Sequence, residues 1–392
     1  MREAVIVEAV RTPIGKRKGK LAGWHPTDLL GHTLSALLER TGVEPALIDD
    51  VVGGCVTQAG EQSTNVTRNA WVAGGLPWTV PATTVDRQCG SSQQAAHFVA
   101  QGVMAGAYDI AIACGVESMT RAPMASNARG GTGPFSPNFL KACDGQLKLQ
   151  FEVAQRIAKD WKISREDMDE FSVESHRRAA EATTSGAFGR ELVPVPIKDE
   201  NGELTGETLT ADEGIRFEID PARMSTLASA HPQPELAPDI TAANSSQMSD
   251  GAAAMLITTP EKAAELGLTP RAAFRHFAVA ADDAVWVLTA PNPATRKLLA
   301  RSGLSVEEFD AVEVNEAFAS ISLAWAREFL PDLTRLNPRG GAIAIGHPLG
   351  ASGVRLMTTM LHYLEDTGGR LGFQTMCEGG GQANATVIER LG

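Results

Sequence analysis

The sequence predicts an α/β fold of two duplicated halves packed together, with a long loop domain inserted into the first half. Three observations predict it. Short apolar runs alternate with helical patterns, as in a parallel or mixed sheet covered on both faces. A long polar, proline-rich excursion interrupts that rhythm once. The order strand, tight turn, helix, strand, glycines then occurs a second time about half a chain later, which reads as an internal duplication. A chain of 392 residues also exceeds one ordinary core.

EAVIVEAV alternates toward a strand, and HPTDLLGHTLSALLERTG sets Leu30, Leu34, Leu37 and Leu38 on one helical face before Gly42 closes it. IDDVVGGCV reads as a strand, NVTRNAWVAG as a helix, ATTVD as a strand running into Cys89, and DIAIACG as a buried strand. From Glu117 to Met248 amphipathic segments such as FEVAQRIAKDW and SREDMDEFSVESHRRAAEA, the latter capped by Ser164 and Asp167, sit among polar connections. Six prolines between Val193 and Asp239 predict mostly irregular structure there. DGAAAMLITTP restores the strand pattern and EKAAELG adds a helix. After Pro270, FDAVEVNEAF stands where IDDVVGGCV stood, and GGAIAIGHPLGASG, read as strand and turn, falls opposite the Cys89 turn. The expected division is residues 1–118 with 249–269 for the first half, 119–248 for the insertion and 270–392 for the second half. The matching turns of the two halves would converge on one site.

Composition narrows the function classes. With 43% hydrophobic and 21% charged residues the chain has an ordinary soluble balance. No run reaches the roughly 18 apolar residues of a membrane helix, and MREAVIVEAV lacks the core of a signal peptide, so a cytoplasmic protein without a membrane partner is expected. A net charge of −12 repels a phosphate backbone and argues against nucleic acid. Cys55, Cys89, Cys114, Cys143 and Cys377 are odd in number, widely spaced and free of CxxC pairs, so neither disulfides nor a metal site is expected.

Four turns carry chemistry. Cys89 precedes Gly90, Ser91 and Ser92, which suit a helix start whose free N–H groups would lower a thiol pKa; a buried structural cysteine is the plainer reading. Asn315 and Glu316 end an apolar strand, where an amide and a carboxylate could hold a water or a carbonyl, although asparagine at a strand end is commonly turn chemistry. His347 is fixed between Gly346 and Pro348 and followed by Gly350, Ser352 and Gly353 opening a helix; a structural role is again the alternative. Cys377 ends a strand at Gly379, Gly380 and Gly381, where backbone N–H groups can approach a ligand.

VDRQCGSSQQA, NSSQMSDGAAA, NEAFA, NPRGGAIAIGHPLGASG and CEGGG, in this order, resemble the thiolase family of acetyl-CoA acyltransferases across essentially the whole chain. The resemblance implies Cys89 as the nucleophile, His347 as general base and oxyanion-hole member, and Cys377 as the acid or base at the α-carbon. Asn315 would hold an oxyanion-hole water, and the N–H groups of Cys89 and Gly379 would hold the tetrahedral oxyanion. Both thiols would titrate near neutrality. The insertion would cover coenzyme A, with Arg216, Ser246, Ala317 and Phe318 as contacts. Coenzyme A is a substrate, no cofactor is permanently bound, and a homodimer or homotetramer is implied.

Two departures stand out. Short-chain biosynthetic thiolases carry His-Met-Gly and Ala-Glu-Asn where this chain has Leu149-Gln150-Phe151 and Ala154-Gln155-Arg156. GGCVTQAGEQS with VDRQCGSSQQA is more similar to actinobacterial thiolases of steroid and lipid breakdown. The expected activity is thiolytic cleavage of 3-ketoacyl-CoAs, with a short-chain acetyl-CoA acetyltransferase as the alternative. A ketoacyl synthase would carry a second histidine in place of Cys377, and a non-enzymatic lipid carrier need not keep Cys89, His347 and Cys377 together.

Overall fold

The computed structural model describes residues 2–330 and 332–392. The first half contains β1 (Val5–Arg11), β2 (Gly15–Lys16), α1 (Pro26–Thr41), β3 (Asp50–Gly54), α2 (Val66–Ala73), β4 (Ala82–Val85), α3 (Ser91–Ala105) and β5 (Ile110–Ser118). The insertion carries α4 (Pro137–Ala142), α5 (Gln150–Asp160), α6 (Arg165–Thr184), β6 (Val195–Lys198), β7 (Leu204–Leu209) and α7 (Pro221–Ser225). β8 (Ser249–Thr258) and α8 (Pro260–Glu265) follow, and then β9 (Ala272–Ala281), α9 (Pro291–Ser302), β10 (Ala311–Val314), α10 (Ala319–Phe329), α11 (Ser352–Thr367), β11 (Leu371–Glu378) and β12 (Gln382–Arg390).

The duplication is visible in the pairing. In the first half β4, β3 and β5 run parallel, and β8 lies antiparallel to both β5 and β1. In the second, β10 and β11 run parallel, and β12 lies antiparallel to both β11 and β9. The halves join along one path, β10-β11-β12-β9-β1-β8-β5-β3-β4, through the short pairing Val5↔Ala273 and Ile6↔Ala272. The helices α3 and α11 lie between them, sharing one apolar cluster with strands of both halves: Ala95, Val99 and Val103 from α3, Val354, Met357 and Leu361 from α11, Ile6 and Met255 from one sheet, Phe274 and Ile388 from the other. Burial of this shared apolar core, at ~25 cal/mol per Å², holds the halves together beside the short β1–β9 pairing. It also brings the N-termini of α3 and α11 side by side. A Cβ on Gly353 would lie 2.1 Å from the backbone nitrogen of Gln93, so only glycine permits this approach.

Two expected elements differ. GGAIAI is not a strand: Ala342 to Ile345 form a helical turn closed by Ile345 N–H and Gly346 N–H donating to Gly341 and Ala342 carbonyls. Ile343, Ala344 and Ile345 are buried against separate clusters, Ile343 beside Phe318 and Ala344 and Ile345 beside Ile14 and Phe188, so their apolar character reflects burial on all sides and not a pleat. The Val193 to Asp239 stretch is also more ordered than its prolines suggest. It holds the β6/β7 hairpin, in which Pro196 sits at an irregular register, and the short helix α7, where Pro221 is the first helical residue and Asp220 the cap. Buried Arg11 pins this region to β1, with Nε donating to Glu191 at 2.6 Å and its terminal nitrogens to Asp212 at 2.7 and 3.0 Å.

Candidate active site

Cys89 sits in the turn between β4 and α3. Gln88 adopts a left-handed φ of 48°, a strained choice for a non-glycine residue costing on the order of 1 kcal/mol. Ser91 holds the turn closed: its hydroxyl donates to Gln88 O at 2.6 Å and accepts Arg87 N–H at 3.0 Å. The thiol is thereby held at the start of α3, 9% exposed.

His347 precedes α11 in the equivalent turn of the second half. Its N–H donates to Gln247 O at 3.3 Å and to Ser249 Oγ at 3.1 Å, fixing the backbone to the end of the insertion. Ring Nδ1 is 2.7 Å from Ser352 Oγ, and Nε2 is 3.3 Å from Asn315 Nδ2. Leu349, two residues past His347, packs with Cys89 and with Met376, the residue before Cys377. Cys377 is buried close enough to Cys89 for the charge of one sulfur to act on the other. Three turns of two halves therefore pack together where α3 and α11 begin, bringing Cys377 near Cys89 and the His347 turn against both through Leu349.

One carboxylate fastens the turns together. Glu117, near the end of β5, accepts the N–H groups of Val56, Thr57 and Gly350 at 2.9, 3.0 and 2.9 Å and the Gln62 amide at 2.9 Å. Gly350 belongs to the His347 turn, so a first-half carboxylate orients a second-half histidine. Glu316 is occupied as well, accepting from Ser175 Oγ at 2.7 Å, Asn337 Nδ2 at 2.8 Å and Ile343 N–H at 3.1 Å. The sequence reading allowed Glu316 to face a water or a substrate carbonyl. Its hydrogen bonds point away from such a role and leave the Asn315 amide alone beside His347.

Ala317 and Phe318 form one wall with Cys377, Leu288 and Ile343. Of Leu149-Gln150-Phe151 only Phe151 reaches this wall, packing edge-on against Phe318 with ring centroids 5.6 Å apart; Leu149 and Gln150 are exposed at the start of α5. Gln155 bonds Asp239 through both ends of its amide, and Arg156 stacks over Trp286 at 5.1 Å. Ser246 N–H donates to Ala317 O at 2.9 Å, which sets it on the same wall. Arg216 is exposed, and its backbone N–H donates to His176 Nδ1 at 3.1 Å; none of its hydrogen bonds reaches the site.

The thiolase N-terminal domain matches residues 4–261 and the thiolase C-terminal domain residues 268–390. The chain belongs to the thiolase family. It is 45% identical to a steroid 3-ketoacyl-CoA thiolase of Mycobacterium tuberculosis, covering 100% of this chain and 95% of that relative. It is 43% identical to a 3-ketoacyl-CoA thiolase of Aliivibrio fischeri and 41% identical to a beta-ketoadipyl-CoA thiolase of Escherichia coli, with both chains of each pair fully covered. The crystal structure of the Bacillus anthracis acetyl-CoA acetyltransferase superposes with a TM-score of 0.88 at 32% identity, covering 100% of this chain and 99% of that one. Among the described residues no helix is long and apolar enough to cross a membrane.

The electrostatics of this thiolase overturn one expectation. The helix-start argument placed the Cys89 thiol low and both thiols near neutrality. Burial instead pushes Cys89 up to about 12, with Glu378 adding to the rise, although the N–H groups of Cys89 and Gly379 favour the thiolate. Cys377 is raised further, by burial first and then by Cys89 and Glu378. The physical reason is magnitude: a helix terminus contributes ~0.3 to 1 kcal/mol, whereas full desolvation of an ion costs several. Burial, followed by the charge of Arg355, lowers His347 to about 3. The resting site thus holds neutral thiols and a neutral imidazole.

Sequence reasoning missed Glu117 and underused Ser352. The former had a signal, a carboxylate near the end of an otherwise apolar strand. The latter stands five residues after His347, a spacing whose meaning depends on the turn between them.

Proposed function

We propose that this thiolase cleaves 3-ketoacyl-CoAs with coenzyme A through a Cys89 acyl-enzyme. The observation that supports the reading is the packing of the Cys89, His347 and Cys377 turns at the paired starts of α3 and α11, with Asn315 beside His347 and Cys377 near Cys89.

The chemistry follows from what these groups can do. Cys89 sulfur attacks the C3 carbonyl while His347 Nε2 takes its proton, a general-base effect worth ~10² to 10⁴ in rate. Ionisation during attack, not before it, suits thiols held this high. The tetrahedral oxyanion is held by the N–H groups of Cys89 and Gly379, each such donor contributing ~10² to 10³. Collapse breaks the C2–C3 bond and expels the acetyl-CoA enolate, stabilised by His347 and a water on Asn315, and Cys377 protonates its α-carbon. Coenzyme A then gives its thiol proton to Cys377 and attacks the acyl-Cys89 thioester, and the departing Cys89 sulfur takes back its proton from His347 as the shortened acyl-CoA leaves. Every bond change is a thioester exchange, a carbon–carbon cleavage or a proton transfer, so coenzyme A enters as co-substrate and no net redox change occurs.

The acyl groups handled are larger than acetoacetyl. Phe151 and Phe318 give the wall beside Cys377 an apolar, aromatic surface, and relatives named for steroid and general 3-ketoacyl-CoA substrates point the same way. Ser246, Ala317 and Phe318 would line the coenzyme A and acyl side under the insertion. We further propose a cytoplasmic homo-oligomer, supported by five free thiols of the kind a reducing compartment maintains and by the exposed edge strand β4. Following 3-ketoacyl-CoA consumption with coenzyme A present and absent tests the activity. Cleavage only with coenzyme A supports it; no cleavage of any chain length contradicts it.

A further inference from the structure

Glu378 follows Cys377 at the end of β11 and is completely buried. Side chains alternate across a strand, so it leaves the opposite face from Cys377. There it lies against the start of α3: a Cβ on Gly90 would fall 1.9 Å from its Oε1, so the missing side chain of Gly90 makes room for this carboxyl. Neither oxygen makes a hydrogen bond of ordinary geometry, although the Asn384 N–H lies near enough to favour the charged form, and Arg87 Nε nearby is likewise buried and unpartnered. Arg87 donates instead through its terminal nitrogen to Gln382, the cross-strand neighbour of Glu378, at 2.8 Å. A buried carboxyl without partners is costly, ~1 to 3 kcal/mol or more, and the folding core gains nothing from it that an apolar residue would not supply.

We propose that Glu378 is a positioning residue for Cys89, a carboxyl held against the Cys89 turn on the far face of β11 from Cys377, whose charge state sets how readily Cys89 releases its proton. The proposal rests on Cys89 being the nucleophile. Groups facing the carboxyl are Arg87 and Asp86 from the β4–α3 turn, Cys89 from the same turn and the Asn384 N–H from β12; Cys377 lies across its own strand within reach of its charge, and Glu117 acts on Cys89 from β5. Burial holds Glu378 well above the ordinary carboxylate range, with Arg87 opposing. As the neutral acid it leaves the thiolate unopposed. Once ionised, its charge raises the proton affinity of both thiols. Carboxyl and thiol then behave as one coupled pair in which a single proton is shared, and the thiolate fraction stops rising over an intermediate pH range.

The test is the rate of iodoacetamide alkylation of the full chain, free of coenzyme A, across pH, with the adduct mapped by mass spectrometry. The wild type is expected to climb in two steps separated by a shoulder. Glu378→Gln is expected to climb in one step and to react roughly tenfold faster above the shoulder. A single-step wild-type profile overturns the proposal without any variant, and so does a shoulder that persists in Glu378→Gln. An adduct on Cys89 with either of those profiles defeats this proposal alone, whereas an adduct confined to another cysteine defeats the nucleophile reading with it.

Discussion

Nδ1 of His347 donates its proton to Ser352 Oγ at 2.7 Å, because that hydroxyl has already given its own hydrogen to Pro348 O at 2.8 Å. A hydroxyl has one proton, so Ser352 can only accept from the ring, and the neutral imidazole is left with a bare Nε2 facing Asn315.

Ser352→Ala should therefore weaken catalysis more than stability. Without the acceptor the ring loses its tautomer preference, and kcat is expected to fall by up to ~10², within what a general base contributes, with KM little changed. The lost hydrogen bond costs about 1 kcal/mol of folding stability. Steady-state kinetics with Ser352→Thr alongside check it: threonine keeps the hydroxyl and should restore most of kcat, and equal losses in both variants would contradict the assignment.

Cys377→Ala separates the two thiols. Acyl transfer from acyl-CoA to Cys89 needs only Cys89 and His347 and should persist. Exchange of acetyl-CoA α-protons with solvent should collapse, since the group beside Cys89 that can reach the α-carbon is gone. Deuterium incorporation followed by NMR decides it, and exchange near the wild-type rate would remove Cys377 from that role.

Much of this was legible in the sequence, for physical reasons that differ by element. The strands β1, β3, β5 and β8 and the helices α1, α3 and α11 announce themselves because each buries a continuous stripe or face, which periodicity records. The capping pair Ser164 and Asp167 likewise states where α6 begins. GGAIAI misled because burial on all sides imitates a strand. The titration of Cys89 misled because sequence shows the helix start but not the depth of burial or the approach of Glu378, and those two effects dominate. The Glu117 and Ser352 contacts depend on the distance between turns far apart in sequence, which no local pattern encodes.

Acid stability should carry a signature of buried neutral histidines. Burial, with Arg87 adding to it, holds His97 near 3 against 6.5 in an unfolded chain, and its ring lies 2.6 Å from Thr386 Oγ1. Between those values the unfolded chain binds a proton that the folded chain refuses, so this contribution is fully present above pH 6.5 and lost as pH falls below it. By pH 4.5 the loss from one such group is roughly 2 to 3 kcal/mol. His97→Asn removes the titrating ring and should flatten the decline of Tm between pH 6.5 and 4.5; parallel declines in both proteins would show that His97 titrates normally.

Substrate size should show as a gradient. Each methylene accepted by the apolar wall contributes ~1 to 3 kcal/mol, so kcat/KM should rise across acetoacetyl-, medium-chain and bulky cyclic 3-ketoacyl-CoAs. Phe151→Ala should flatten the rise by opening the wall against Phe318. Acetoacetyl-CoA preferred by about tenfold or more, equal to about 1.4 kcal/mol, would instead indicate a short-chain acetyltransferase.

The most direct measurement is the site of covalent acylation. After incubation with an acyl-CoA and rapid acid quenching, peptide mapping by mass spectrometry should find the acyl group on Cys89. It should be absent from Cys89→Ala and retained in Cys377→Ala. Acyl groups found only on Cys55, Cys114 or Cys143 would contradict the Cys89 acyl-enzyme and the mechanism built on it.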